Sequence, residues 1–246
     1  MKILVCISKT PDTTAKISFK ENNSTFNSDG VSFIMNPYDE WYALVRAVEL
    51  VEANGGTCSV INVGPASNDI IIRKALAIGA NDAFRVDIDA PDAYTVAANI
   101  ADHAKSSGYD MIFTGKETID YNGSEIGAMI AELLDLPYVS YANHLDFNSG
   151  VCTISRDIEG GDEICEVSTP LVLSASKGLA EQRIPNMKGI MSAKTKPLTL
   201  IQPSHQTAQV AIETYELPAP KSGVKLVDPE NMDELVRLLH EEAKVL

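Results

Sequence analysis

Short, nearly unbroken apolar runs alternate along the first half of the chain with longer segments whose apolar positions recur every three or four residues. Lys2 to Ser8 is the first run, patterned as a strand covered on both faces by helices. Lys9 to Gly30 is polar, and the alternation of Ile17 and Phe19 predicts a short hairpin there. In Asn36-Pro37-Tyr38-Asp39-Glu40, Asn36 suits an N-cap, Pro37 the first helical position, and the two acids the positive helix end. Leu44, Ala47, Val48 and Val51 form the apolar stripe of that helix, and Asn54-Gly55-Gly56 ends it. Thr57 to Val63 reads as a strand closed by Gly64-Pro65, followed by a helix from Asn68 to Ile78 that Gly79 stops. A strand from Asp82 to Ile88, a helix from Asp92 to Lys105 and a strand from Tyr109 to Phe113 follow, then a helix carrying Ile126, Ile130 and Leu133. This rhythm predicts a doubly wound parallel sheet over the first ~135 residues. Right-handed crossovers then bring the loops after Ile7, Val63 and Phe113 to one edge of it.

Beyond Pro137 the rhythm changes. Tyr138 to Phe147, Val151 to Ile158 and Glu163 to Ser168 read as strands, with Glu159-Gly160-Gly161-Asp162 as a hairpin turn. Leu171 to Ala175 reads as one more buried strand of the main sheet. Lys177 to Pro197 shows neither period and is expected to be irregular. A proline-bearing linker through Pro203, Pro218 and Pro220 follows, then an amphipathic helix from Asn231 to Lys244 after the start signal Asp228-Pro229. The stretch from Pro203 to Pro229 is too polar and broken to hold a core, so it must lie on its own domain or on a partner subunit.

The chemistry concentrates in the loop Thr114-Gly115-Lys116-Glu117-Thr118-Ile119-Asp120-Tyr121-Asn122-Gly123-Ser124-Glu125-Ile126-Gly127. A strand enters it and a helix leaves it, which is where open α/β sheets bind ligands. A helix starting there aims unpaired N–H groups at an anion, and glycines let the backbone approach it. The formal net charge of -14 argues against nucleic acid or an anionic membrane surface as main partner. Cys6, Cys58, Cys152 and Cys165 lack metal-ligand spacing and the four histidines are scattered, so no metal site is expected. The N-terminus lacks a signal-peptide pattern and no stretch reaches membrane-spanning length, so a cytoplasmic protein without an integral membrane segment is expected.

Several of these segments carry a resemblance. Met35-Asn36-Pro37-Tyr38, Val63-Gly64-Pro65, the loop from Gly115 to Asp120, Arg156-Asp157-Ile158-Glu159-Gly160-Gly161-Asp162-Glu163 and the run from Pro170 through Arg183 to Lys196 occur in order. Together they resemble the β subunit of an electron transfer flavoprotein, the β/FixA family, over nearly the whole length. The resemblance implies an α/β fold that is Rossmann-like and adenine nucleotide α-hydrolase-like, with a small β-hairpin insertion and an extended C-terminal arm. The nucleotide-binding domain would span residues 1–200, with a recognition loop at 177–196, and residues 201–246 would pack on a partner α subunit. It further implies an electron carrier with no catalytic residues of its own. FAD would be held mainly by the α subunit and AMP by this one. The AMP would meet Cys6, Asn36, Pro37, Tyr38, Asp39, Val63, and the loop Gly115, Lys116, Glu117, Thr118, Ile119, Asp120, Tyr121, Asn122, Gly123, Ser124, Glu125 and Ile126.

In the recognition loop, Met187 would anchor flavin dehydrogenases, including those acting on acyl-CoA in fatty acid oxidation, with Ile184 and Ile190 beside it. Electrons would leave towards a quinone-linked oxidoreductase of the respiratory chain. The compartment would be the cytoplasm in a bacterium or the mitochondrial matrix in a eukaryote. Asp157 would pair with an arginine of the α subunit. Tyr38 matches one FAD-facing aromatic, whereas the other falls on Thr13. Electron-bifurcating relatives carry a second FAD in place of AMP and a Gly-Asp-Thr loop. Here that loop reads Tyr121-Asn122-Gly123-Ser124, which favours AMP. A different class, ATP pyrophosphatases and stress-type nucleotide binders, shares such a sheet. Ser8-Lys9-Thr10-Pro11-Asp12 lacks the pyrophosphate cradle of the first, and the second has no use for residues after about 175.

Overall fold

A computed structural model describes every residue except Pro91 and Ser222. The chain divides into a large unit, residues 1–17 and 27–213, and a small one, residues 18–26 and 214–246. In the large unit, strand β1 (Lys2–Cys6) leads to β2 (Lys9–Pro11). The small unit then contributes a two-residue-per-strand hairpin, β3 (Phe19–Lys20) and β4 (Thr25–Phe26), so the expected hairpin exists but Ile17 lies outside it. The chain re-enters the large unit with β5 (Phe33–Met35), which pairs with β2. Next come α1 (Asp39–Asn54), β6 (Thr57–Val63), a 3-10 turn (Ala66–Asn68), α2 (Asp69–Ile78), β7 (Asp82–Val86), α3 (Ala93–Lys105), β8 (Met111–Gly115) and α4 (Ile126–Leu134). Three antiparallel or edge strands follow, β9 (Tyr138–Asn148), β10 (Val151–Ile158) and β11 (Gly161–Ser168), then the central strand β12 (Leu171–Ala175).

The main sheet has nine strands in the order β11-β10-β9-β12-β8-β1-β6-β7, closed at the far edge by a strand at Leu198–Ile201. All of these pairings are parallel except those of β10 with β9 and β11. Period-two alternation sends Ile3, Val5 and Ile7 into the core under α1 and α2, and Leu4 and Cys6 into the core under α3 and α4. Both faces are thus covered, as the unbroken apolar strands require. The hairpin β10–β11 extends this same sheet.

Four local expectations are corrected. Asn36 does not cap α1 and Pro37 is not its first residue: the helix starts at Asp39, and Tyr38 occupies the cap position at φ 63° with no side-chain cap. Asn36 is fully buried instead, because its amide is bonded elsewhere, as described below. The segment 177–197 is not wholly irregular, since Met187–Ala193 forms α5, capped by the Asn186 side chain accepting from Gly189 N at 2.8 Å. The supposed linker also holds a strand, β13 (Leu198–Ile201), parallel to β7. Four residues were too few for a period to show. The final helix, α6 (Met232–Leu238), is shorter than expected and continues as a π-helical turn, Leu239–Ala243. Within the small unit, Phe19 stacks on Tyr215 with centroids 4.7 Å apart, and Asn23 O accepts from Tyr215 N at 2.7 Å.

α5 lies against α2 through polar anchors. Arg73 donates to Ala193 O (2.8 Å) and Lys196 O (2.7 Å), and Lys196 Nζ donates to Leu76 O (2.9 Å) and Ala80 O (2.5 Å). Trp41 Nε1 donates to Arg183 O (3.2 Å), and Arg183 forks onto Glu52. At Gly189 a Cβ would stand 2.3 Å from Ala77 O, a backbone atom that cannot swing aside. Gly189→Ala is therefore expected to lift α5 from α2 and cost about 1–3 kcal/mol, as overpacking does. Faster amide exchange over residues 187–193 together with a lower melting temperature would show it; unchanged protection would refute it.

Candidate functional site

In the sheet, the chain runs outward from β1 through β6 to β7, then crosses back to place β8 on the other side of β1. The order of the strands therefore reverses between β1 and β8, and a crevice opens at their carboxyl ends. A cavity of about 540 Å³ occupies that position. Of the residues expected to meet a nucleotide, Cys6, Val63, Gly115, Lys116, Glu117, Thr118, Asp120, Tyr121, Gly123, Ser124, Glu125 and Ile126 line it. Asn36, Pro37, Tyr38, Asp39, Ile119 and Asn122 do not.

Asn36 acts from behind the wall. Its Nδ2 donates to Glu117 O at 3.0 Å, and its Oδ1 accepts from Ile119 N at 3.1 Å. One buried amide thus satisfies a donor and an acceptor of the loop between β8 and α4, and fixes that loop to the start of α1. Gly115 permits the close fit, since a Cβ there would sit 2.8 Å from Glu40 Cγ and 3.0 Å from Glu40 N. Further along, Asn122 (φ 51°) and Ser124 (φ 53°) take left-handed conformations on either side of Gly123, which does not. Asn122 N–H is already bonded to Thr118 O at 2.9 Å, so the N–H groups of Gly123 and Ser124 are the ones this turn leaves for an anion. The turn's last residues run into α4, whose cap position, Glu125, offers no side-chain acceptor to the first free N–H groups.

Glu40 is the site residue that the sequence pattern hid. An acid two residues into a helix reads as complementing the helix dipole, but Glu40 is only 6% exposed and faces the cavity. Its carboxylate accepts from Ser8 N (2.7 Å) and Ser8 Oγ (2.6 Å). Burial pushes its pKa up to about 8, the Ser8 hydrogen bonds oppose the rise, and Asp120 and Asp39 add to it. Burial likewise raises Asp39 to about 6, opposed by Lys116. Burial, helped by Glu40, also pushes the Cys6 thiol far above its ordinary range, so Cys6 is an apolar wall. On the β6 side, Asn62 donates to Ile7 O (2.8 Å) and accepts from Asn68 (3.0 Å), and Gly64 leaves room for Asn68. None of these asparagines stood out in the sequence, because lone amides carry no period. Lys9, lowered by burial against the pull of Asp89, donates to Ser67 Oγ at 3.0 Å at the rim.

Ile184, Met187 and Ile190 form a separate surface and do not line the cavity. Ile184 is 79% exposed and Met187 72%, with Ile190 and Met191 also exposed. Asp157 accepts from Asn143 Nδ2 (2.6 Å) and Ser176 Oγ (3.2 Å) at the β10 edge. Among the described residues, no helix is long and apolar enough to cross a membrane.

Residues 24–205 match the family model described as the electron transfer flavoprotein domain. The chain belongs to the electron transfer flavoprotein family. Along its whole length it is 34% identical to the electron transfer flavoprotein subunit beta of Bacillus subtilis, with 100% of both chains covered. It is 30% identical to the mitochondrial electron transfer flavoprotein subunit beta of Arabidopsis thaliana, again over 100% of both. It is also 31% identical to the Caffeyl-CoA reductase-Etf complex subunit CarD of Acetobacterium woodii, over 81% of this chain and 78% of that one. The electron transfer flavoprotein relatives thus align across both the nucleotide-sized cavity and the α5 surface.

Glu40 makes stability depend on pH with a known sign. Its folded pKa of about 8 lies above the ordinary 4.5, so between those values the folded chain holds a proton that the unfolded chain has released. Stability therefore falls as pH rises through that window, and Asp39 adds to the fall between its ordinary 3.8 and about 6. Glu40→Gln cannot ionise, and its melting temperature should lose most of the decline between pH about 5 and about 8. Parallel profiles for the two proteins would show that Glu40 is already ionised in the fold.

Proposed function

We propose that this chain is the β subunit of a heterodimeric electron transfer flavoprotein, binding AMP in the cavity and presenting α5 to donor dehydrogenases. The observation that carries the nucleotide reading is the cavity at the strand-order reversal, with Gly123, Ser124 and the start of α4 offering backbone donors. Cys6, Val63, Val96 and Ile100 give it apolar walls suited to a base.

Charge favours a monophosphate. The walls carry six acids, five of them ordinary surface carboxylates, Asp89, Asp92, Glu117, Asp120 and Glu125, and the sixth, Glu40, largely protonated at neutral pH, against two lysines, Lys9 and Lys116. A phosphate there is held by backbone dipoles, and each additional phosphate would add repulsion from the acids without a new cation. This argues for AMP and against ATP-cleaving chemistry. The AMP has a structural role, tying the loops of β1, β6 and β8 to one ligand.

FAD supplies the redox chemistry of the complex when bound, and lies mainly on the α subunit. This chain's contribution to its wall is Tyr38, 60% exposed and held at the unusual φ of 63°. The arm from residue 214 onward, beyond the part that is fastened to this domain, packs on that subunit, and Asp157 meets its arginine. At the other surface, Ile184, Met187 and Ile190 are apolar and exposed, and Lys188 and Lys194 flank them. That combination suits transient docking: charge steers the encounter and the apolar anchor supplies the contact. The acceptor is a quinone-linked oxidoreductase. The compartment is the cytoplasm in a bacterium.

Denaturing the purified complex and identifying what it releases tests the cofactor assignment. One AMP per β subunit and one FAD per heterodimer are expected. A second FAD in place of AMP would assign the chain to the electron-bifurcating branch. A colourless homodimer that hydrolyses ATP would overturn the carrier reading.

Docking has its own test. Met187→Ala should raise the concentration of dehydrogenase needed for half-maximal electron transfer about tenfold. Flavin content and melting temperature should stay as they are, since the side chain is exposed. A loss of stability with unchanged transfer would make Met187 a packing residue.

A further inference from the structure

The segment that follows β13 does not leave the domain. From Ser204 to Val210 it is fastened along α3 by side chains that recur every three or four residues, Asp92, Thr95, Asn99 and Asp102, and so share one face of that helix. Asn99 Oδ1 accepts from Ser204 N (2.9 Å), Ser204 Oγ (3.3 Å) and His205 N (3.3 Å), while its Nδ2 donates to His205 O (2.8 Å). His205 Nε2 meets Asp102 Oδ2 at 2.9 Å, and Thr95 Oγ1 donates to Thr207 O at 3.4 Å. Asp92 divides its carboxylate. Oδ1 caps α3 by accepting from Thr95 N (2.8 Å), and Oδ2 accepts from Gln209 N (2.6 Å) and Val210 N (3.2 Å).

This strap ends at the cavity. Val210 and Ile212 line it, opposite the β1 and β8 loops, together with Asp92 and the apolar face of α3 at Val96 and Ile100. Both side chains remain well exposed, Val210 at 68% and Ile212 at 49%. An apolar pair held by a rail of hydrogen bonds at the mouth of a polar cavity has its surface left to bury. A base or ribose in the cavity is what would bury it. Nothing else in the strap calls for so many hydrogen bonds, since it has no regular structure of its own.

We propose that residues 204–212 are a latched strap forming the outer wall of the nucleotide site, with Asp92 and Asn99 as its positioning residues, and that the nucleotide leaves only when the strap lifts from α3. The inference rests on the nucleotide reading of the cavity and adds the element that controls exchange. Asn99 and Asp102 act at a distance from the cavity, since neither lines it. Asp92 works at the latch itself.

The test uses the purified heterodimeric complex loaded with labelled AMP and chased with unlabelled AMP. Asp92→Asn keeps an oxygen to cap α3 but turns an NH₂ group towards the amides of Gln209 and Val210, so it opens the latch and spares the helix. Asn99→Ala cuts the distal fastening without touching the cavity wall. Each should release AMP about tenfold faster than the parent, the equivalent of one or two hydrogen bonds, with FAD content unchanged. Hydrogen exchange supplies the readout that a purely structural strap would not move. The amides of Gln209 and Val210 should exchange more slowly when AMP is added to the parent complex, and the two variants should lose that dependence. If Asn99→Ala fails to fold, Asp92→Asn and the exchange experiment decide alone. AMP leaving all proteins at one rate, with strap protection indifferent to AMP, overturns the strap's role while the nucleotide site stands. A parent complex that neither contains nor takes up AMP overturns the reading of the cavity and the strap with it.

Discussion

The cavity exists because one buried amide joins two loops that are far apart in sequence. Asn36 follows β5, while Glu117 and Ile119 follow β8, and the Asn36 side chain donates to the first and accepts from the second. A backbone loop with no partners would have to stay in water, where it would wander. Here its carbonyl and N–H are taken by a side chain that is fully buried, so the loop is held at a set distance from the start of α1. Breaking that pairing leaves two backbone groups unsatisfied, at about 1–3 kcal/mol each when buried. The fit depends in turn on Gly115, where any side chain would meet the backbone and Cγ of Glu40. Glu40 can be brought inside only because Ser8 offers it two donors.

Most of the fold was legible because parallel strands covered on both faces announce themselves as apolar runs. β6 was read at its observed bounds, and the split of β1 between two cores follows from simple alternation. What could not be read has common causes. β13 has four residues and α5 seven, too short for a period to rise above the noise of neighbouring Lys and Pro. Asn36 misled because the residue type that caps helices is also the one that satisfies a neighbouring loop, and only the fold decides between them. Glu40 misled for a similar reason: an acid at a helix start is usually solvated, and its burial here is set by Ser8, a residue thirty-two positions away. The loop at 114–127 was found through its glycines and its place after a strand. The strap on α3 gave no signal, since polar residues recurring on one side of an amphipathic helix carry no mark of what they bond.

The acids around the cavity bear on what it could hold. In water a phosphate is commonly met by arginine, whose planar fork matches it, yet no arginine lines this cavity among the described residues. Backbone N–H groups carry only partial charge and sit at fixed positions. They select by geometry and tolerate a single anionic group, whereas a cluster of cations would reward every added phosphate. A site built this way among carboxylates is suited to a ligand kept in place as part of the structure, and poorly suited to one that must shed a charged leaving group.

The last third of the large unit shows how an exposed apolar surface can be firmly mounted. α5, β13 and the strap are consecutive in the chain and attach in turn to α2, β7 and α3. The attachments are polar and largely to backbone: Arg73 and Lys196 on carbonyls at either side, Trp41 on Arg183 O, Asn99 on the amides of Ser204 and His205. Had α5 been fixed by burying its own apolar side chains, Met187, Ile190 and Met191 would be spent on the core. Because carbonyls carry the load and only Ala193 is buried, those side chains stay exposed on a helix that cannot drift. Preorganisation of this kind lowers the ordering entropy that a transient partner must overcome. The same logic holds at the strap, where hydrogen bonds to α3 fix the backbone and leave Val210 and Ile212 turned to the cavity mouth. In both places polar contacts set the position, and the apolar side chains stay exposed.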